Sequence, residues 1–316
     1  MTRIAAVFPG QGSQSPGMLA DLAAEWPQVE TTFAEASEAL GYDLWALVRD
    51  NPDDSLNRTI HTQPAMLAAG VAVARVWDAA GAPAPTVVAG HSLGEYSALV
   101  AAGVLAFDDA VRIVAERARL MQDAVPRGEG GMAAILGLDD DTVAQICESV
   151  AAGRVVEPVN YNAPGQVVIA GHADAVQQAM AAAQEAGAKR AVELPVSVPA
   201  HSTLMKDAAD ELAGAFARAA FNEPRIPVIH NVDAARHADV DGIREALRRQ
   251  LYNPVRWTES VAALRAAGGE QLVELGPGKV LTGLARRIDR RLPAAAVEDR
   301  ASLERALESC MGDDRT

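Results

Sequence analysis

The chain has 316 residues, of which 49% are hydrophobic and 22% charged, and its net charge is −14. That acidity argues against nucleic acid or an anionic membrane surface as partner, while the length and composition fit a globular protein with a large core. Two cysteines, Cys147 and Cys310, are too few for a disulfide framework and lack zinc-ligand neighbours, so free thiols in a reducing cytoplasm and no metal site are expected.

Met1–Gly10 is a short apolar run ended by Pro-Gly, too short for a signal segment, and the apolar stretches 66–73 and 98–107 fall short of a membrane span. Ile4–Phe8 reads as a buried strand leading into Phe8-Pro-Gly-Gln-Gly-Ser-Gln14, a loop that lets backbone approach a ligand closely. A phosphate cradle fits this loop less well, because no Lys-Ser/Thr follows its glycines.

Thr86–Ala89 reads as a second buried strand, and it runs into Gly90-His-Ser-Leu-Gly94 and then an apolar segment from Tyr96 to Phe107. Strand, Gly-x-Ser-x-Gly and helix in that order form the layout of a nucleophile elbow with Ser92 at its apex. The sharp turn strains the serine backbone, and glycines two residues to either side remove the collisions that side chains would cause. The helix that follows aims N–H groups and its positive dipole end at charge developing there. A glycine-rich turn with an incidental serine is the bland alternative.

A helical pattern spans Asp108–Ala124, with Val111, Val114, Ala118 and Met121 along one face. Arg117 falls on that inward face, opposite Arg112, Glu116 and Arg119. An inward guanidinium costs on the order of several kcal/mol unless an anion meets it. That anion is either an internal Asp or Glu or a substrate carboxylate held bidentately.

From 126 to 200 the rhythm changes. Strands at Ala133–Leu136, Val155–Val159, Gln166–Gly171 and Ala191–Val196 alternate with helices at Asp139–Ala152 and Ala173–Ala186. Strand, helix, strand, strand, helix, strand is the split pattern of a ferredoxin-like unit. Helices at Ser202–Ala219 and Asp241–Leu251 and strands at Val228–Asn231 and Gln271–Leu275 follow, and Gly312–Thr316 reads as a frayed tail. The expected architecture is α/β: a core with a mainly parallel sheet from 1–125 and 201–316, a small insert subdomain at 126–200, and a cleft between them.

A serine nucleophile needs a base. Of six histidines, His61 reads as part of a turn, His172 and His237 as exposed, His230 as a strand end, and His91 as a neighbour whose ring leaves the elbow in another direction. His201 follows the rigid loop Pro195–Ala200 and precedes a helix, which would hang it over the cleft; a loop histidine bonded to backbone is the alternative. The oxyanion donors of an elbow enzyme are the N–H after the nucleophile, here Leu93, and one from a neighbouring strand–helix loop, where Gln11 is well placed.

Together these pieces resemble the malonyl-CoA:acyl carrier protein transacylase family over nearly the whole chain. The carriers are Phe8–Gln14, Gly90–Ser97, Glu116–Gln122, Asn160–Gln166, Pro195–His201, Gln250–Trp257 and Gly276–Lys279. The resemblance implies an α/β-hydrolase-like core with a ferredoxin-like insert. It implies Ser92 as nucleophile, His201 as base, Gln11 and Leu93 as oxyanion donors and Arg117 as the clamp on the malonyl carboxylate. It also implies that a backbone carbonyl at Gln250 orients the histidine, in place of a third acid.

The implied reaction is ping-pong transfer of malonyl from malonyl-CoA to the phosphopantetheine thiol of acyl carrier protein, for fatty-acid synthesis, by a cytoplasmic monomer. Malonyl-CoA is then a substrate and no cofactor is expected. Leu93 agrees with the free-standing malonyl enzymes. The rival readings are a transacylase serving a polyketide or malonate decarboxylase carrier, a serine thioesterase or hydrolase, and an inactive carrier-binding scaffold. Lys189, Arg190 and Lys206 are candidates for a carrier-docking rim or plain surface charge.

Overall fold

Alternation along the first strand decides the architecture. In β1 (Ile4–Phe8), Ile4, Ala6 and Phe8 pack into one apolar cluster, while Ala5 and Val7 pack into another. A strand buried on both faces belongs in the middle of a parallel sheet covered by helices on each side. The computed structural model, which describes residues 2–196 and 198–311, has that arrangement. The tail Gly312–Thr316 lies outside the described residues.

After β1 come α1 (Ala20–Ala23), α2 (Pro27–Leu40), α3 (Leu44–Asp50) and α4 (Thr59–Ala79), then β2 (Pro85–Gly90), α5 (Gly94–Ala101) and α6 (Phe107–Asp123). The next run is β3 (Gly130–Leu136), α7 (Asp140–Val150), β4 (Val156–Ala163), β5 (Gln166–His172), α8 (Ala173–Glu185) and β6 (Arg190–Glu193). The chain then forms α9 (Lys206–Arg218), β7 (Val228–Ile229), α10 (Val240–Gln250), α11 (Trp257–Ala266), β8 (Gln271–Leu275), α12 (Val280–Ile288), β9 (Ala294–Val297) and α13 (Arg300–Met311).

Two sheets result. The first has five parallel strands in the order β7-β2-β1-β8-β9, and the second has four antiparallel strands in the order β4-β5-β3-β6. One face of the antiparallel sheet packs Ala133, Ile135, Val167 and Ile169 against α7 and α8; the other carries Met132, Val159, Val168 and Ala170 towards Val196 and Ala200, just before His201. Val255, in the loop before α11, ties that loop to β4, its N–H donating to Val159 O at 2.9 Å and its carbonyl accepting Tyr161 N–H at 2.9 Å, while its side chain packs in the apolar cluster under the parallel sheet.

Local chemistry marks several boundaries. Asp43, Asp139 and Asp239 each cap a helix by accepting the N–H three residues on, and Gly41 ends α2 at φ 77°. Some expectations need correction. His61 lies inside α4 and not in a turn; Pro64 sits within the same helix. Ser202–Ala219 is broken into a 3-10 turn at Thr203–Met205 and α9, and β6 stops at Glu193 short of Val196. β9 is an added strand of the parallel sheet, an Ala-Ala-Ala-Val run of weak strand propensity that forms because it pairs with β8.

Candidate active site

β1 and β2 run side by side, and their carboxyl ends deliver Pro9–Gly12 and Gly90–Gly94 to the same place. Ser92 has φ 52°, the left-handed conformation the elbow requires of a non-glycine residue. A Cβ on Gly90 would lie 1.9 Å from the Gly94 carbonyl carbon, and one on Gly94 would lie 2.1 Å from Phe8 O. Both positions are closed to any side chain. Asn231, just past β7, clamps the bend from outside: its Oδ1 accepts Ser92 N–H at 2.7 Å and its Nδ2 donates to Gly90 O at 2.6 Å.

Ser92 Oγ lies 2.7 Å from His201 Nε2, and His201 Nδ1 lies 2.7 Å from the Gln250 backbone carbonyl. Only a protonated Nδ1 can donate to that carbonyl, so Nε2 is left as the acceptor for the serine proton. His201 also holds a positive φ, 65°, in a turn tied by Ser202 Oγ donating to Pro199 O at 2.7 Å. Burial, then the positive charge of Arg117, hold its imidazole far below the ordinary value, at about 3. It is an uncharged base. A hydroxyl bonded to a base that is itself held by a third group is the geometry of an activated nucleophile.

Arg117 reaches the same hydroxyl from α6. Its NH2 group lies 3.3 Å from Ser92 Oγ and 3.2 Å from Gln250 Oε1, and its NH1 group donates to Gln63 Oε1 at 2.6 Å. The residue is 1% exposed, and its Nε has no partner. Of the two anions expected to meet it, an internal acid is not there: among the described residues its hydrogen-bond partners are neutral. Desolvation pulls the guanidinium pKa down. Such a group gains most from an anionic ligand that brings its own charge into the site.

The loop after β1 packs hard on the elbow, since a Cβ on Gly10 would lie 2.5 Å from His91 O and 3.7 Å from Leu93 N. Gly94, Glu95 and Tyr96 N–H groups are used within the turn, whereas neither Leu93 nor Gln11 N–H donates to a protein acceptor among the described residues. The Gln11 side chain points away, with Nε2 3.3 Å from Thr59 Oγ1. His91 leaves the elbow as expected: Nε2 lies 2.7 Å from Asn162 Oδ1 and the ring packs beside Trp257.

All six residues singled out in the sequence (Gln11, Ser92, Leu93, Arg117, His201 and Gln250) therefore converge. Four others were missed: Gln63, Glu95, His230 and Asn231. Glu95 is fully buried: Asn231 N–H and Gln250 Nε2 each donate to it at 3.0 Å, and His230 Nδ1 lies 2.7 Å away. Its place directly after the Gly-x-Ser-x-Gly run was the one available signal. His230 is buried, and His172 and His237 are half-buried and not exposed, the first accepting Val155 N–H and the second set against Asp233.

Residues 6–301 match the family model described as the acyl transferase domain. The chain is 60% identical to the malonyl CoA-acyl carrier protein transacylase of Escherichia coli (strain K12), covering 98% of this chain and 100% of that one. It is 44% identical to the Bacillus subtilis (strain 168) protein of the same name, covering 98% of each. Among solved structures, an acyl carrier protein S-malonyltransferase from Vibrio cholerae superposes with a TM-score of 0.94 at 59% identity, covering 96% of this chain and all of that one. A malonyl-transacylase in complex with a type II PKS acyl-carrier protein superposes at 0.96 with 57% identity, covering 98% of this chain and 100% of that one. By sequence along nearly its whole length and by backbone, the chain belongs to the malonyl CoA-acyl carrier protein transacylase family.

Proposed function

We propose that this protein moves a malonyl group from malonyl-CoA to the phosphopantetheine thiol of an acyl carrier protein through a malonyl ester on Ser92. One observation carries the reading: Ser92 Oγ stands between an uncharged imidazole at 2.7 Å and a buried guanidinium at 3.3 Å whose direct hydrogen-bond partners among the described residues are all neutral. His201 takes the serine proton as Oγ bonds to the thioester carbon, and the C–S bond breaks with that proton leaving on the CoA thiol. Gln11 and Leu93 N–H groups bear the charge of the tetrahedral oxyanion. Arg117 holds the distal carboxylate, and the carrier thiol then repeats the sequence in reverse. No step uses a cofactor or a metal.

A surface cavity of about 720 Å³ bordered by Arg58, Thr59, Gln122, Arg127 and Pro195 offers two cations beside the Gln11 loop, and we assign it to the phosphates of the incoming thioester arm. The relatives' names support an acyl carrier protein as the acceptor, and the solved relative bound to a type II PKS acyl-carrier protein is the observation behind a polyketide carrier as the second reading. A hydrolase is not favoured, because a neutral carbonyl in place of a carboxylate behind His201 stabilises the imidazolium less and water gains no dedicated activator.

We read the antiparallel sheet as a ferredoxin-like insert at 126–200 on an α/β-hydrolase-like core of 1–125 and 201–316, supported by the strand order β4-β5-β3-β6 with both helices on one face. A monomeric cytoplasmic enzyme is the accompanying expectation; no helix among the described residues is long and apolar enough to cross a membrane. The test is to isolate the protein after malonyl-CoA exposure, add holo-carrier, and follow the label. Malonyl-carrier should form at the expense of the enzyme ester; free malonate released at the same rate with or without carrier would contradict the reading.

A further inference from the structure

Among the described residues the Arg117 guanidinium has no direct counter-ion, yet a carboxylate stands one amide away. Gln250 Nε2 donates to Glu95 Oε2 at 3.0 Å and to Ser92 O at 2.9 Å. Both partners are acceptors, so the amide nitrogen is fixed on that side and Oε1 is turned to Arg117, which donates to it at 3.2 Å. Glu95 is fully buried; Asn231 N–H and Gln250 Nε2 donate to its Oε2, and His230 Nδ1 lies 2.7 Å from its Oε1. Two fixed donors and an imidazole able to supply a third suit a carboxylate. The line from Glu95 through the Gln250 amide to Arg117 is a chain of aligned dipoles between two buried, opposite charges.

We infer that Glu95 is the remote counter-charge of Arg117, with the Gln250 side-chain amide as relay, and that it sets how strongly the acyl site prefers a carboxylate-tailed acyl group. A direct Glu–Arg pair would saturate the guanidinium and shut the substrate out. A bare guanidinium would bind small anions of any kind. Placing the acid behind an amide stabilises the buried cation without a direct ion pair, so its charge stays available to an incoming carboxylate. Glu95 is thus a positioning and specificity residue that touches neither the substrate nor Ser92 Oγ. The inference rests on the malonyl-serine reading given above.

Glu95→Gln removes the charge and keeps the shape. Its amide oxygen can take Asn231 N–H and Gln250 Nε2, and its NH2 group can donate to His230 Nδ1 once that ring shifts its proton to Nε2, which has no partner at present. The experiment compares wild type and Glu95→Gln for acyl-enzyme formation from malonyl-CoA and acetyl-CoA, with free malonate as competing anion. With the counter-charge gone, half-saturation by malonyl-CoA and inhibition by malonate should each occur at about threefold lower concentration, and half-saturation by acetyl-CoA should not move with them.

Equal losses on both thioesters, with malonate inhibition unmoved, would make Glu95 a purely structural residue and overturn the inference. If Glu95→Gln does not fold, Glu95→Asp decides: it keeps the charge, so the malonyl-to-acetyl ratio and malonate inhibition should stay within about twofold of wild type, and a larger shift overturns it. A wild type that forms no malonyl ester at all would sink the functional reading and this inference together. A wild type that loads normally beside an unresponsive Glu95→Gln would sink this inference alone.

Discussion

Glu95 and Glu274 are both completely buried, and both stand beside the start of a helix, but they do different work. Glu274, on β8, spends its carboxylate on a single joint: it accepts Leu281 N–H at 3.0 Å, Thr282 N–H at 2.7 Å and Thr282 Oγ1 at 2.8 Å, all at the first turn of α12. Glu95 gathers two separate parts of the chain, His230-Asn231 and Gln250, and Asn231 and Gln250 in turn hold the Ser92 backbone and the His201 ring. The difference is in where the donors come from. A carboxylate satisfied by one helix end fixes a local angle, whereas one satisfied by distant segments fixes the relative position of catalytic groups.

The sharpest way to probe that contrast is at the far end of the Glu95 chain. Arg117→Ala should lower malonyl ester formation by about 100-fold, from lost charge-assisted hydrogen bonds to the carboxylate, and change acetyl ester formation by less than about threefold. Single-turnover rates with the two thioesters measure this, and equal losses would refute the clamp. Glu274→Ala should instead cost about 2 kcal/mol of stability by stranding the N–H groups of α12. Its denaturation midpoint should fall while the malonyl-to-acetyl ratio at permissive temperature does not change. A shifted ratio would erase the distinction between the two glutamates.

The smallest effect is on pH. His201 sits at about 3 against an ordinary 6.5, chiefly through burial and then through Arg117. It stays an uncharged base above that value, so acetyl ester formation should show no acid limb near pH 6.5. Arg117→Ala removes the repulsion and should move the limb upward. For folding, the unfolded imidazole binds its proton near 6.5 and the native one does not until about 3. This group's contribution is therefore present above pH 6.5 and is lost as pH falls through that window. A wild-type limb at pH 6.5 would contradict the placement of His201.

The parts of the site legible in the sequence are those whose chemistry is written locally. Gly90, Ser92 and Gly94 lie within one pentapeptide, and Arg117 shows its inward direction by helical spacing from Val114 and Met121. The supporting contacts were hidden because they close over long stretches of chain. Gln63 meets Arg117 across 54 residues, and Asn231 meets Ser92 across 139. An acid in the first turn of a helix, as Glu95 is, carries no signal of its own in sequence, because the dipole alone accounts for it. Four strands of the parallel sheet were legible, the edge strand β7 among them, but not the opposite edge, where the alanines of β9 carry little strand preference and rely on β8 for their conformation.

Intact-protein mass spectrometry after brief exposure to malonyl-CoA tests the central claim most directly. Wild type should gain the mass of one malonyl group and lose it when holo-carrier is added, and Ser92→Ala should gain nothing. A malonyl adduct of equal yield on Ser92→Ala, or a wild type that turns over malonyl-CoA without ever carrying the adduct, would contradict the account.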